Sequence, residues 1–84
     1  MDNFSISQLE QFSGIKAHTI RMWELRYNAL HPSRSKGNTR FYNNSQLRRL
    51  LNIASLINSE YKVSYLCSLT DEELFEILDR RLKQ

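Results

Sequence analysis

The 84-residue sequence holds one cysteine, one proline, two glycines and two histidines. With Cys67 alone, no internal disulfide can form, which suits a reducing cytosol. His18 and His31 show no metal-ligand spacing with Cys67, so no metal site is expected. No apolar run approaches the roughly 20 residues that span a bilayer. The N-terminus lacks a basic segment followed by an apolar one, so neither a membrane span nor a signal peptide is expected, and the reading is a cytoplasmic protein. There is no glycine-rich phosphate loop and no nucleophile–base pair, so an enzyme is not expected. A chain this short forms one small domain over residues 1–84, with a modest core and little room for a deep substrate pocket.

The charge that is present is unevenly placed. Twelve Lys and Arg face nine Asp and Glu, for a net charge of +3. Between Lys16 and Arg49 stand eight bases (Lys16, Arg21, Arg26, Arg34, Lys36, Arg40, Arg48, Arg49) and the single acid Glu24. Such a polycationic middle suits a phosphate backbone or an anionic membrane surface, and it is also what a solvated charged surface looks like. Five acids, and no base, lie between Asp71 and Asp79. They sit at the start of a helix whose end carries Arg80, Arg81 and Lys83, so the helix dipole accounts for them.

The chain opens with an extended Phe4-Ser5-Ile6 lead-in. Ser7 is then expected to cap a helix over Gln8 to Phe12, with Glu10 at capping-box spacing. Ser13-Gly14 ends that helix, Gly14 taking the left-handed conformation, and Ile15 anchors the turn. A second helix is predicted from Ala17 to about Tyr27, with Ala17, Ile20, Trp23 and Tyr27 sharing its apolar face. Two helices joined by about four residues containing a glycine form a helix-turn-helix signature.

Pro32 stops any helix. Leu30 to Ser33, a polar turn at Lys36-Gly37-Asn38 and Thr39 to Tyr42 are predicted to form a two-stranded hairpin that leans on the helices through Leu30 and Phe41. Asn43-Asn44-Ser45 caps a third helix reaching about Asn58, with Leu47, Leu50, Leu51, Ala54 and Ile57 as its apolar stripe. A short fourth helix starts at Val63-Ser64 and carries Tyr65, Leu66 and Leu69, with Cys67 expected as a buried, inert thiol. Thr70 and Glu73 form a capping box for a final helix bearing Leu74, Phe75, Ile77, Leu78 and Leu82. The fold class expected is mainly α, a winged helix-turn-helix with a short two-stranded β wing and about five helices, its core at residues 4–69 and a C-terminal helix at 70–84.

An α-helix fits the major groove of DNA, and its first turns reach base edges. With Ile20 and Trp23 docked inward, the second helix leaves His18, Thr19, Arg21, Met22 and Arg26 outward. His18 and Thr19 are suited to hydrogen-bond a base or a phosphate, and Met22 to pack on a thymine methyl. Arg21 and Arg26 have two roles open to them, a phosphate contact or an ion pair with Glu24. Trp23 reads as core rather than as a stacking platform. In the hairpin, Arg34, Lys36 and Arg40 cluster at one turn, Asn38 is a donor to phosphate, and Gly37 permits close approach to a backbone. The alternative for this segment is an exposed, solubilising loop.

Taken in order, Phe4-Ser5-Ile6, Gly14-Ile15, Ile20-Arg21-Met22-Trp23-Glu24, Leu30-His31-Pro32, Arg40-Phe41-Tyr42 and the Leu47–Ile57 helix resemble the DNA-binding unit of the MerR family of bacterial transcriptional regulators over about Phe4 to Leu69. Trp23-Glu24-Leu25-Arg26-Tyr27, the Pro32-x-Arg34 step and Gly37-Asn38 look similar to one branch, the cobalamin-dependent, light-sensing repressors, as does Thr70 to Leu78. That branch has Gly-Leu where this chain has Asn28-Ala29, and a glycine before the fourth helix where this chain has Ser59-Glu60-Tyr61. The resemblance implies that Arg21 and Arg40 contact phosphate, that Tyr42 packs beneath the wing or touches backbone, and that Lys16, His18 and Thr19 lie where family members read sequence. Nothing in this chain resembles a cobalamin-binding domain, so no cofactor is expected in it; cobalamin would enter only with a further C-terminal domain.

The partner expected is therefore double-stranded DNA at a promoter or operator, without a membrane. Two other readings keep the same residues: an excisionase-like factor that bends DNA in recombination, and a protein-interaction module that docks an acidic partner. The last segment offers about two heptads, short for a stable coiled coil. A monomer or weak dimer is expected, with firm self-association requiring further C-terminal sequence.

Overall fold

A computed structural model describes residues 3–34, 36–37, 39–57 and 61–83. Among these residues the chain forms α1 (Ile6–Ser13), α2 (Ala17–Tyr27), β1 (Ser33–Arg34), β2 (Arg40–Phe41), α3 (Asn44–Ile57), α4 (Val63–Cys67) and α5 (Asp71–Leu82). This is the expected mainly helical winged helix-turn-helix. None of the described helices is long and apolar enough to cross a membrane.

The first helix starts earlier than the sequence suggests. Ser5, not Ser7, is the cap: its hydroxyl accepts from the Gln8 amide at 3.1 Å, and the Gln8 side chain accepts from the Ser5 amide at 2.8 Å. Phe4 is extended because it pairs with Tyr42 in an antiparallel bridge, each amide donating to the other's carbonyl at 2.7 and 2.8 Å. With Phe4 pinned there, Ile6 already lies in the helix. Glu10 is thereby released from the expected box, and its carboxylate accepts from the Ala17 amide at 2.8 Å. It satisfies an amide at the start of α2, where the N-cap residue Lys16 makes no side-chain capping bond. Gly14 closes α1 with φ 79°, as its position predicts.

α2 ends on Asn28, whose φ of 51° is left-handed. This is where the resembling branch has glycine, and asparagine is the side-chain-bearing residue that tolerates the conformation best. The departure is thus conservative in backbone terms. Asn28→Val is expected to lose about 1–2 kcal/mol in urea denaturation, because a β-branched residue is strained at positive φ. Asn28→Gly should stay within about 1 kcal/mol of the parent. Equal losses for the two variants would contradict this account.

The hairpin is shorter than expected. Among the described residues, Ser33 pairs with Phe41 and Arg34 with Arg40 across it. Leu30 to Pro32 lie outside the strand: Leu30 is buried in the core, the His31 amide donates to the Gln46 side chain at 2.8 Å, and Pro32 has no amide to give. Asn38, at the tip of the predicted turn, lies outside the described residues, as do Ser59 and Glu60.

The core gathers Leu9 from α1, Ile20 and Trp23 from α2, Leu30 and Tyr42 flanking the wing, Leu50, Ile53 and Leu56 from α3, Leu66 from α4, and Leu74 and Ile77 from α5. Ile53 and Leu56 were outside the expected stripe, yet both are fully buried. The reason is that α3 packs against α1, α4 and α5, so more than one face is covered. Leu51 and Ala54 are only half-buried, and Phe75 and Leu82 of α5 are exposed. Cys67 is buried as expected, and burial pushes its thiol pKa up, which keeps it an unreactive thiol. The Thr70–Glu73 capping box forms as its spacing predicts.

Candidate nucleic-acid interface

On α2, Ile20 and Trp23 are buried and Ala17 and Tyr27 half-buried, so one face is committed to the core. His18, Arg21, Met22 and Leu25 follow the i, i+3, i+4, i+7 rule and form one exposed stripe on the opposite face. Thr19 and Arg26 flank it on one side, Thr19 half-buried and Arg26 exposed, while Lys16 is exposed just before the helix. Leu25, within this stripe, is 86% exposed.

The wing stands beside this stripe. Arg34 and Arg40 are direct cross-strand partners and so project from one face of the hairpin. Like charges placed opposite each other destabilise a strand pair, and an anion between or beside them offsets that cost. A groove of about 350 Å³ runs between α2 and the wing, lined by Arg21, Glu24, Leu25, Leu30, His31, Pro32, Arg34 and Arg40. Arg21 from the helix therefore meets Arg34 and Arg40 from the wing across one concave surface. Lys36 and Gly37 are exposed at the turn.

Glu24 ties the two parts together. Its Oε1 accepts from Arg40 Nη1 at 2.8 Å, and its Oε2 accepts from the Tyr42 hydroxyl at 2.6 Å. The ion pair foreseen for Arg21 or Arg26 with Glu24 does not form; neither arginine takes part in an ion pair among the described residues. Helix neighbours lose here to a partner 16 residues away because Arg40 lies beside Glu24 across the groove, where both are partly screened from water.

Tyr42 is packed beneath the wing, one of the two placements expected for it. Its side chain is fully buried and its hydroxyl donates to Glu24. Burial is the main cause that raises its pKa well above the ordinary phenol value, with the Glu24 carboxylate adding to it, so the hydroxyl stays a donor. The Arg40–Tyr42 spacing is the signal that could have paired these two residues with one partner, since alternate residues of a strand share a side.

Arg49 also leaves the basic surface. Its Nε donates to the Ala29 carbonyl at 2.7 Å, Nη2 to the Cys67 carbonyl at 2.8 Å, and Nη1 to Asp71 Oδ1 at 3.0 Å. Arg48, one residue earlier, is exposed on α3 away from the groove. The cations that remain around α2 and the wing are Lys16, Arg21, Arg26, Arg34, Lys36 and Arg40.

No group of three or more potential metal ligands occurs among the described residues. Residues 4–71 match the family model described as MerR HTH family regulatory protein. No curated protein matches the chain.

Proposed function

This chain belongs to the MerR family of helix-turn-helix regulatory proteins, which are DNA-binding regulators, and we propose that it binds double-stranded DNA sequence-specifically, with α2 in the major groove and the wing on the adjacent backbone or minor groove. The observation that carries this reading is the juxtaposition of the exposed His18–Arg21–Met22–Leu25 stripe with the groove into which Arg21, Arg34 and Arg40 converge. A helix that presents polar and apolar side chains at its first turns can read base edges, and guanidinium groups to its side fix the register on phosphates.

In this arrangement Lys16, Arg21, Arg26, Arg34, Lys36 and Arg40 serve the backbone. His18 and Thr19 read bases, and Met22 meets a thymine methyl. Asn38 is a further donor to phosphate. The process served is transcriptional control at an operator. The motifs around Trp23 to Tyr27 and Pro32 to Asn38 support placement in the cobalamin-dependent branch. No catalytic activity and no membrane association are proposed.

Selection of bound duplexes from a random pool tests the reading. The wild-type chain should enrich one motif. His18→Ala and Thr19→Ala should each alter the preferred base at one position, by about 1–3 kcal/mol per lost base contact, without changing the preference elsewhere in the site. Enrichment of no motif, or an unchanged motif in both variants, would overturn the assignment of α2 as the reading helix. A motif found only at recombination attachment sites would move the protein to the excisionase reading, and stoichiometric capture of an acidic protein with no duplex bound would make it an interaction module.

A further inference from the structure

A carboxylate is an unexpected group on a surface built to meet phosphates, because it repels them. Glu24 is the single acid in the stretch from Lys16 to Arg49, and it lines the groove between α2 and the wing. Its side chain is only 8% exposed. A carboxylate so withdrawn from water is tolerable only when paired and hydrogen-bonded. Both of its oxygens are engaged, one by Arg40 and one by Tyr42.

The two partners differ in kind. Tyr42 is a fixed point, fully buried and joined to Phe4 by two backbone hydrogen bonds. Arg40 is 34% exposed in its side chain. A guanidinium has five N–H donors, and the described bond to Glu24 uses one. Glu24 thus links α2 to the rigid base of the wing through one oxygen. Through the other it holds the wing's cation at a set distance from the helix.

We propose that Glu24 is a positioning residue that sets DNA specificity, by fixing Arg40 beside α2 and cancelling its charge until a phosphate arrives at the distance that a correctly seated α2 provides. This rests on the reading of the α2–wing face as a DNA surface. At long range the Arg40–Glu24 pair is neutral and adds nothing to the attraction that any duplex exerts on the wing. At contact, the remaining guanidinium edge rewards one phosphate position only. The acid therefore suppresses binding to unrelated sequence more than binding to the preferred one.

Glu24→Gln tests this, since it keeps the size and a hydrogen-bond acceptor while removing the charge. Binding to an unrelated duplex should tighten about fivefold at 0.15 M salt, and its log–log salt slope should steepen by about 0.9, the value for one further neutralised phosphate. The ratio of affinities for the selected and unrelated duplexes should fall about tenfold or more. In an Arg40→Gln background the same change should leave both the slope and the ratio where they are, because the effect acts through Arg40. Tyr42→Phe removes only the hydroxyl; it should lower the ratio severalfold with the slope unchanged, and it serves if Glu24→Gln does not fold by circular dichroism. Loss of affinity for both duplexes in parallel by a folded variant, or an unchanged ratio, would overturn the proposal and reduce Glu24 to a structural link. Failure of the wild-type chain to bind any duplex would instead overturn the DNA reading, and this proposal with it.

Discussion

Arg49→Met is expected to lower the melting temperature by roughly 12–24 °C, at about 4–8 °C per kcal/mol for a domain of this size. The Arg49 side chain is 12% exposed and joins three parts of the chain: the segment after α2 at Ala29, the end of α4 at Cys67, and the start of α5 at Asp71. Ala29 and Cys67 are themselves buried, so their carbonyls have little access to replacement water. Charge-assisted hydrogen bonds contribute about 1.5–3 kcal/mol each, so losing the two to carbonyls costs about 3 kcal/mol at the low end. The ion pair with Asp71 adds little, because Asp71 is 58% exposed and screened by solvent. Methionine keeps much of the aliphatic stem, so the loss reports the hydrogen bonds. Arg48→Met, one residue away and exposed, should stay within about 0.5 kcal/mol of the parent. If the two variants melt together, Arg49 is a surface cation after all.

The second large effect concerns binding. The triple variant Arg21→Gln, Arg34→Gln, Lys36→Gln removes three exposed cations of the helix and wing while leaving the Glu24–Arg40 pair in place. If each neutralises one phosphate, the salt slope becomes less negative by about 2.7, and affinity at 0.15 M salt drops about a hundredfold for all sequences. The ratio between preferred and unrelated duplexes should change far less, because backbone contacts position the protein and carry no base information. Fluorescence anisotropy over a salt series reads both quantities. A slope unchanged by the triple substitution would place the phosphate contacts elsewhere on the protein.

What the sequence made legible was mostly local. Gly14 closing α1, the apolar face of α2 through Ile20 and Trp23, and the Thr70–Glu73 box are each decided within one or two turns, and spacing alone finds them. Where the expectation slipped, a distant residue decided the outcome. Ser5 and Ser7 are both good caps, and the choice falls to Ser5 because Phe4 is bridged to Tyr42 far along the chain. Glu10 had a local partner by spacing and takes a different one across the turn. The α3 stripe was too narrow because periodicity reports an apolar face but not how many neighbours cover it, and Ile53 and Leu56 are buried by the additional helices.

The candidate surface divides in the same way. That His18, Arg21, Met22 and Arg26 face outward follows from the helix period. That Arg34 and Arg40 face one another follows from the hairpin register, which composition leaves open. Glu24, Tyr42 and Arg49 could be assigned only once their partners were in view, since charge counted along a chain does not distinguish a cation offered to a ligand from one holding the fold. Three residues counted by sequence as basic or DNA-facing therefore part company: Arg49 is a clamp, Tyr42 a buried support, and Arg40 a cation shared with Glu24.

The claim that the α2 stripe and the wing form one DNA surface is tested most directly by titrating the ¹⁵N-labelled chain with its selected duplex and following backbone amide shifts. The expected result is that perturbed amides concentrate in α2, from its start beside Lys16 to Arg26, and in the hairpin from Arg34 to Arg40, while α5 and the far end of α3 stay unmoved. Perturbations centred on the groove between α3 and α5, around Arg48 and Phe75, with α2 silent, would contradict the account.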